Sequence, residues 1–151
     1  MGQSLSRVYI HLTYGTKNRF PFIKESYGKQ LHPYVSGILK KLESPALVIN
    51  SVPDHIHILF RLSKNYALSK VVEEVKKSSS KYLKTLNNNL SGFSWQGGYG
   101  AFSVSSSSVE VVRKYIENQE EHHRKKSYRE EVEEFLRNYD VEEYDPDYFW
   151  S

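Results

Sequence analysis

Two strand-like runs separated only by Pro53-Asp54 constrain this chain more than any other feature. Ala46 to Val52 and His55 to Leu62 are rich in apolar and β-branched residues, and so short a connection makes them an antiparallel pair. Helical periodicity flanks the pair on both sides. Over 24–42, Tyr27, Leu31, Tyr34, Val35, Ile38 and Leu42 recur at helical spacing, and Pro33 predicts a kink or a later start. From Leu68 to Leu86, Val71, Val72, Val75, Tyr82 and Leu83 mark a second amphipathic helix. Arg7 to Tyr14 reads as an opening strand, and Ala101 to Ser105 as a closing one after the Trp95-Gln96-Gly97-Gly98-Tyr99-Gly100 turn.

The order β-α-β-β-α-β is that of the ferredoxin-like split β-α-β, an α+β fold with an antiparallel sheet and helices on one face. Ser107 and Glu110 match a capping box and open a helix expected to reach about His122, and 128–138 suggests one more helix. At 151 residues the chain suits one domain, with 1–127 as its body and 128–151 as an acidic C-terminal helix and tail of the same unit. Without cysteine, a disulfide scaffold, a Cys zinc site and a thiol nucleophile are excluded. No apolar run reaches the ~18–20 residues a membrane span needs, so the expected location is the cytoplasm.

Charge is unevenly divided. Residues 128–151 carry nine acids against Arg129 and Arg137, a net −7, which leaves +10 on the first 127 residues. Such a body is the footprint of a polyanion binder, although a solvated surface with a solubilising acidic tail has the same arithmetic. The candidate backbone contacts are Lys17 and Arg19 in the loop after the first strand, Lys77, Lys81 and Lys84 along one side of the second long helix, and Arg113 and Lys114 on the third.

His55 and His57 lie two apart on a strand, so both imidazoles leave the same face and can share one ion. Tyr115 and Gln119 are i and i+4 on the third helix, with His122 further along the same stripe as a candidate DNA contact and Val109, Val112 and Ile116 on the adjoining apolar stripe. A tyrosine serves as nucleophile when a base or metal helps its phenol lose a proton, and the Gln119 carbonyl is a candidate third ligand.

The run Pro53-Asp54-His55-Ile56-His57-Ile58-Leu59 resembles the His-hydrophobic-His strand of HUH endonucleases. Tyr115-Ile116-Glu117-Asn118-Gln119 is similar to the Tyr-x-x-x-Gln helix of their small single-tyrosine transposases, those of single-stranded insertion sequences or of repetitive extragenic palindromes. The likeness extends over nearly the whole chain, including Lys17-Asn18-Arg19, the Trp95–Gly100 turn and Glu120-Glu121-His122-His123. It implies Mg²⁺ or Mn²⁺ held by His55, His57 and Gln119, and attack by Tyr115 on single-stranded DNA near a hairpin to give a 5′-phosphotyrosine. It also implies a homodimer in which the tyrosine helix acts in its own subunit or in the partner. A non-catalytic single-stranded nucleic-acid-binding module, or a domesticated nicking protein of the same chemistry, is the alternative.

Overall fold

A computed structural model describes residues 2–123 and 125–151, without the side chains of His122 and His123. Strand β1 (Val8–Gly15) leads through a basic loop to α1 (Glu25–Lys41), and β2 (Ala46–Val52) turns directly into β3 (His55–Leu62). Helix α2 (Leu68–Leu86) then returns the chain to β4 (Gly100–Val104). Four further helices follow: α3 (Val109–Glu117), α4 (Gln119–His123), α5 (Tyr128–Asn138) and α6 (Pro146–Phe149). The sheet order is β2-β3-β1-β4 and every neighbouring pair is antiparallel, the ferredoxin-like arrangement expected of the sequence.

Alternation along the two central strands divides the sheet into unlike faces. Ile10, Leu12 and Tyr14 of β1 and Ile56, Ile58 and Phe60 of β3 point to one side, where Leu31, Val35 and Leu39 of α1 and Val71, Val75 and Leu83 of α2 cover them. Each such side chain contributes roughly 1.5–3 kcal/mol by leaving water, so this layer carries most of the apolar driving force. The intervening residues, His11 and Thr13 of β1 and His55, His57 and Leu59 of β3, face the other way. There α3 lays Ile116 with Val109 and Val112 over Leu59 and Val104, and α5 adds Tyr128 and Val132 to the buried set. Helices therefore cover both faces of the sheet, the second by way of the C-terminal elements.

Three local expectations change. Pro33 neither delays nor interrupts α1, which runs from Glu25; burial of Leu31, Val35 and Leu39 against the sheet outweighs one missing N–H donor. Ser107 and Glu110 form no capping box: Ser106–Ser108 is a turn of 3-10 helix in which the Ser105 hydroxyl bonds those of Ser107 and Ser108. The box forms instead at the start of α5, between Ser127 and Glu130. The helix expected to reach His122 breaks at Asn118 (φ −99°, ψ 27°), so Tyr115 and Gln119 sit on either side of the break.

Candidate active site

Register places the histidines. Thr13 lies opposite His57 and Gly15 opposite His55 in the β1–β3 ladder, so both imidazoles rise from the centre of the sheet and are fully buried. Each ring is oriented through its Nδ1. His55 Nδ1 lies 2.7 Å from the Asp54 carboxylate, and His57 Nδ1 lies 2.8 Å from His11 Nε2. A hydrogen bond at one ring nitrogen fixes the tautomer and orients the other nitrogen for a ligand. Tyr128 stacks on His55 at 3.9 Å and 11°, and its hydroxyl shares a 3.0 Å hydrogen bond with Thr13.

Both Nε2 atoms converge on Glu131 of α5, which is buried. Its Oε1 lies 3.0 Å from His57 Nε2 and 3.7 Å from His55 Nε2. Two imidazole nitrogens and a carboxylate oxygen within 4.8 Å of one another form a donor set suited to a divalent ion such as Mn²⁺, which accepts mixed N and O ligands. Partnered Nδ1 atoms behind the two rings meet the orientation such a site requires.

The second carboxylate oxygen, Oε2, accepts a hydrogen bond from the Tyr115 phenol. Burial and the adjacent Glu131 charge hold that phenol far above the ordinary tyrosine range, while a hydrogen bond with Gln119 acts in the opposite direction. The ring is also 6.1 Å from that of His57 and 6.3 Å from that of His11. His11, whose ring lies 5.0 Å from that of His57, is pushed down to about 3 by burial and then by His57, so it stays neutral at any ordinary pH. Asn50 of β2 fixes the helix that carries Tyr115: its Nδ2 donates to the carbonyls of Ile116 (2.8 Å) and Glu117 (3.3 Å), where the end of α3 has carbonyls to satisfy.

The structure thus brings His55, His57 and Tyr115 together. Gln119 is fully buried beside Tyr115, with its Nε2 donating to the Tyr115 carbonyl at 3.4 Å. Lys17 and Arg19 lie in the β1–α1 loop, where Arg19 is 5.0 Å from the Trp150 ring centre. Arg113 is half-buried and ion-paired with Glu110, and Lys114 is exposed on α3. Lys77, Lys81 and Lys84 are exposed on α2, in the layer across the sheet from the histidines. The His122 side chain lies outside the described residues. Four site residues have no functional counterpart in the sequence reading: Glu131, His11, Tyr128 and Asn50. Glu131 counts there only as one acid of an acidic tail, yet its sequence signal is legible: Tyr128, Glu131, Val132 and Phe135 form one stripe, an acid set into an apolar face.

Paired histidines, a tyrosine and a carboxylate thus gather on the α3–α5 face of a ferredoxin-like sheet. Comparison with known families makes this specific. The family described as "Transposase IS200 like" matches residues 4–119, and the chain belongs to it. That span holds His55, His57, Tyr115 and Gln119 and ends before α5. Among curated proteins there is no match. Two solved structures share the fold. One, assigned as a transposase of Deinococcus radiodurans r1, is 20% identical with a TM-score of 0.62, covering 79% of this chain and 96% of that one. The other, a REP-associated tyrosine transposase bound to a REP hairpin, is 16% identical with a TM-score of 0.59, covering 82% of this chain and 74% of that one.

Proposed function

We propose that the chain cleaves and rejoins single-stranded DNA at the ends of an insertion or palindromic element, with Tyr115 as nucleophile. The observation that carries this reading is one carboxylate spanning the site: Glu131 touches the His55–His57 pair through one oxygen and the Tyr115 phenol through the other. Nucleophile and ion site therefore meet at one carboxylate within one subunit, which favours action in cis.

In this mechanism the phenol oxygen attacks phosphorus in line, the bond to the 3′ oxygen breaks, and the departing oxygen takes a proton to become a 3′-hydroxyl. Because the new 5′-phosphotyrosine is itself a phosphodiester, attack by a 3′-hydroxyl reverses the step without ATP. Glu131, which already accepts the phenolic hydrogen bond, receives the proton that Tyr115 gives up. His55 and His57, with Glu131 or Gln119 as third ligand, would hold Mg²⁺ or Mn²⁺. A divalent ion there would withdraw charge from the scissile phosphate and offset the Glu131 charge that keeps the phenol protonated. Asp54 and His11 act by holding the two imidazoles in register.

The hairpin-bound relative supports a hairpin beside the cleavage site as the substrate feature recognised. Lys17, Arg19, Arg113 and Lys114 would then track the strand near the site, while Lys77, Lys81 and Lys84 carry DNA that wraps to the opposite layer. We further propose a homodimer and a cytoplasmic location, with 128–151 acting as part of the catalytic domain; no helix among the described residues is long and apolar enough to cross a membrane.

The test is a denaturing gel of the protein incubated with hairpin-containing single-stranded DNA from its own element and Mn²⁺. A covalent adduct is expected, absent in Tyr115→Phe and in His55→Ala. An adduct that persists in Tyr115→Phe refutes the nucleophile, and no adduct with the wild-type chain returns the protein to a binding role.

A further inference from the structure

We infer that the cleft between the β1–α1 loop, the β2–β3 turn and the start of α5 holds one unpaired nucleotide of the strand, next to the bond that Tyr115 attacks. This deepens the proposed function and rests on it. The cleft encloses about 560 Å³, within the roughly 300–1,000 Å³ of small-molecule sites, and its walls include Arg19, Asp54, Lys126, Tyr128 and Arg129. Among the described lining residues three cations face a single acid, and that acid is already hydrogen-bonded to His55.

Position ties the cleft to the chemistry. Asp54 and Tyr128 both touch His55, so its wall stands one residue from the ion site. Lys126 lines this cleft and also the neighbouring one that contains Tyr115, Glu131 and Glu134. A strand crossing from the nucleophile into the basic cleft therefore passes Lys126, whose ion pair with Glu134 a phosphate would replace.

Shape indicates a base as well as a phosphate. The guanidiniums of Arg19 and Arg129 lie 5.0 and 5.9 Å from the centre of one indole, Trp150, and Tyr128 meets that indole edge-on at 5.7 Å. The two arginines already grip a flat aromatic ring, and a nucleobase presents the same kind of surface. Arg129 and Lys126 flank the start of the acidic segment, so cations there reach DNA despite the net −8 of residues 130–151.

The experiment reads binding without cleavage, in a Tyr115→Phe background with chelator. The probes are fluorescent dT12 and a dodecamer of equal charge whose central sugars lack bases. We expect dT12 to bind roughly tenfold more tightly than the abasic strand. Arg129→Ala should weaken both and remove most of that ratio. Arg129→Lys, which keeps the charge and the fold but not the flat face, should remove the ratio while holding the abasic strand. Lys40→Ala, on the far end of α1, should change neither. A dodecamer carrying 5-iodouracil should photocross-link to Tyr128 or Trp150. An unaltered ratio in both Arg129 variants, cross-links confined to other segments, or no binding of dT12 overturns the inference. Adduct formation is measured separately with Tyr115 intact, so either result can fail without hiding the other.

Discussion

The two faces of one sheet make opposite use of the same two strands. On the α1–α2 side, β1 and β3 present Ile10, Leu12, Tyr14, Ile56, Ile58 and Phe60, and the contacts are almost wholly apolar. On the α3–α5 side the alternate positions present His11, Thr13, His55 and His57, and burial there depends on polar partners: Asp54, Tyr128, Glu131 and each other. A buried polar group without a partner costs about 1–3 kcal/mol, so this second face is held by matched hydrogen bonds and becomes unstable when one member is deleted. The apolar face lends the rigidity that lets the polar face keep its histidines converged.

Four measurements would break or sharpen that contrast. The largest effect is expected on the apolar side: Phe60→Ala should lower unfolding free energy by about 3–5 kcal/mol in a denaturant titration, with adduct formation per folded molecule unchanged. A loss of chemistry in the remaining folded fraction would mean that the faces are not separable. Next, Mn²⁺ at about a hundredfold its dissociation constant should stabilise the wild-type chain by about 2.7 kcal/mol, and this gain should vanish in His57→Ala. Equal stabilisation of both proteins would place the ion elsewhere.

A smaller effect should follow Asn50→Ala, about 1 kcal/mol of stability together with slower adduct formation, because the end of α3 that carries Tyr115 loses its tie to β2. Slow adduct formation despite full DNA binding would identify a positioning role; an unaltered rate would reject it. The smallest concerns Lys76, whose ammonium donates to the carbonyls of Gln96 and Gly98 and which burial pushes down to about 8. A lysine lowered on folding binds fewer protons in the native state between about 8 and its unfolded value of 10.5, so its contribution to stability rises with pH across that window. The wild-type chain should therefore gain on Lys76→Met between pH 7.5 and 10, and a constant difference would show that the site does not titrate there.

How much of this was legible in the residues varies by element. Strand alternation, the Pro53-Asp54 turn and the two long amphipathic helices are local patterns, and the four-strand order follows from them. The caps and breaks were less readable: Ser107-x-x-Glu110 and Ser127-x-x-Glu130 fit the same signature, and only the second forms the box. What separates them is the course of the backbone before each helix, a 3-10 turn in one case and an extended residue in the other. Glu131 was hidden for a different reason. Glu130, Glu133 and Glu134 surround it, and composition assigns such a stretch to solvent; the stripe it shares with Tyr128, Val132 and Phe135 is the one signal that sets it apart.

By itself the chain dictated that His55 and His57 share a face, that Tyr115 and Gln119, four residues apart, stay close in space, and that a basic body precedes an acidic end, since period and charge are properties of neighbouring residues. Folding alone decided that α5 returns across the open face, turning one acid of the tail into the partner of both the imidazoles and the phenol. Contacts 16 and 74 residues apart in the chain, Tyr115 to Glu131 and His57 to Glu131, leave no periodic trace, because each depends on how separate elements pack.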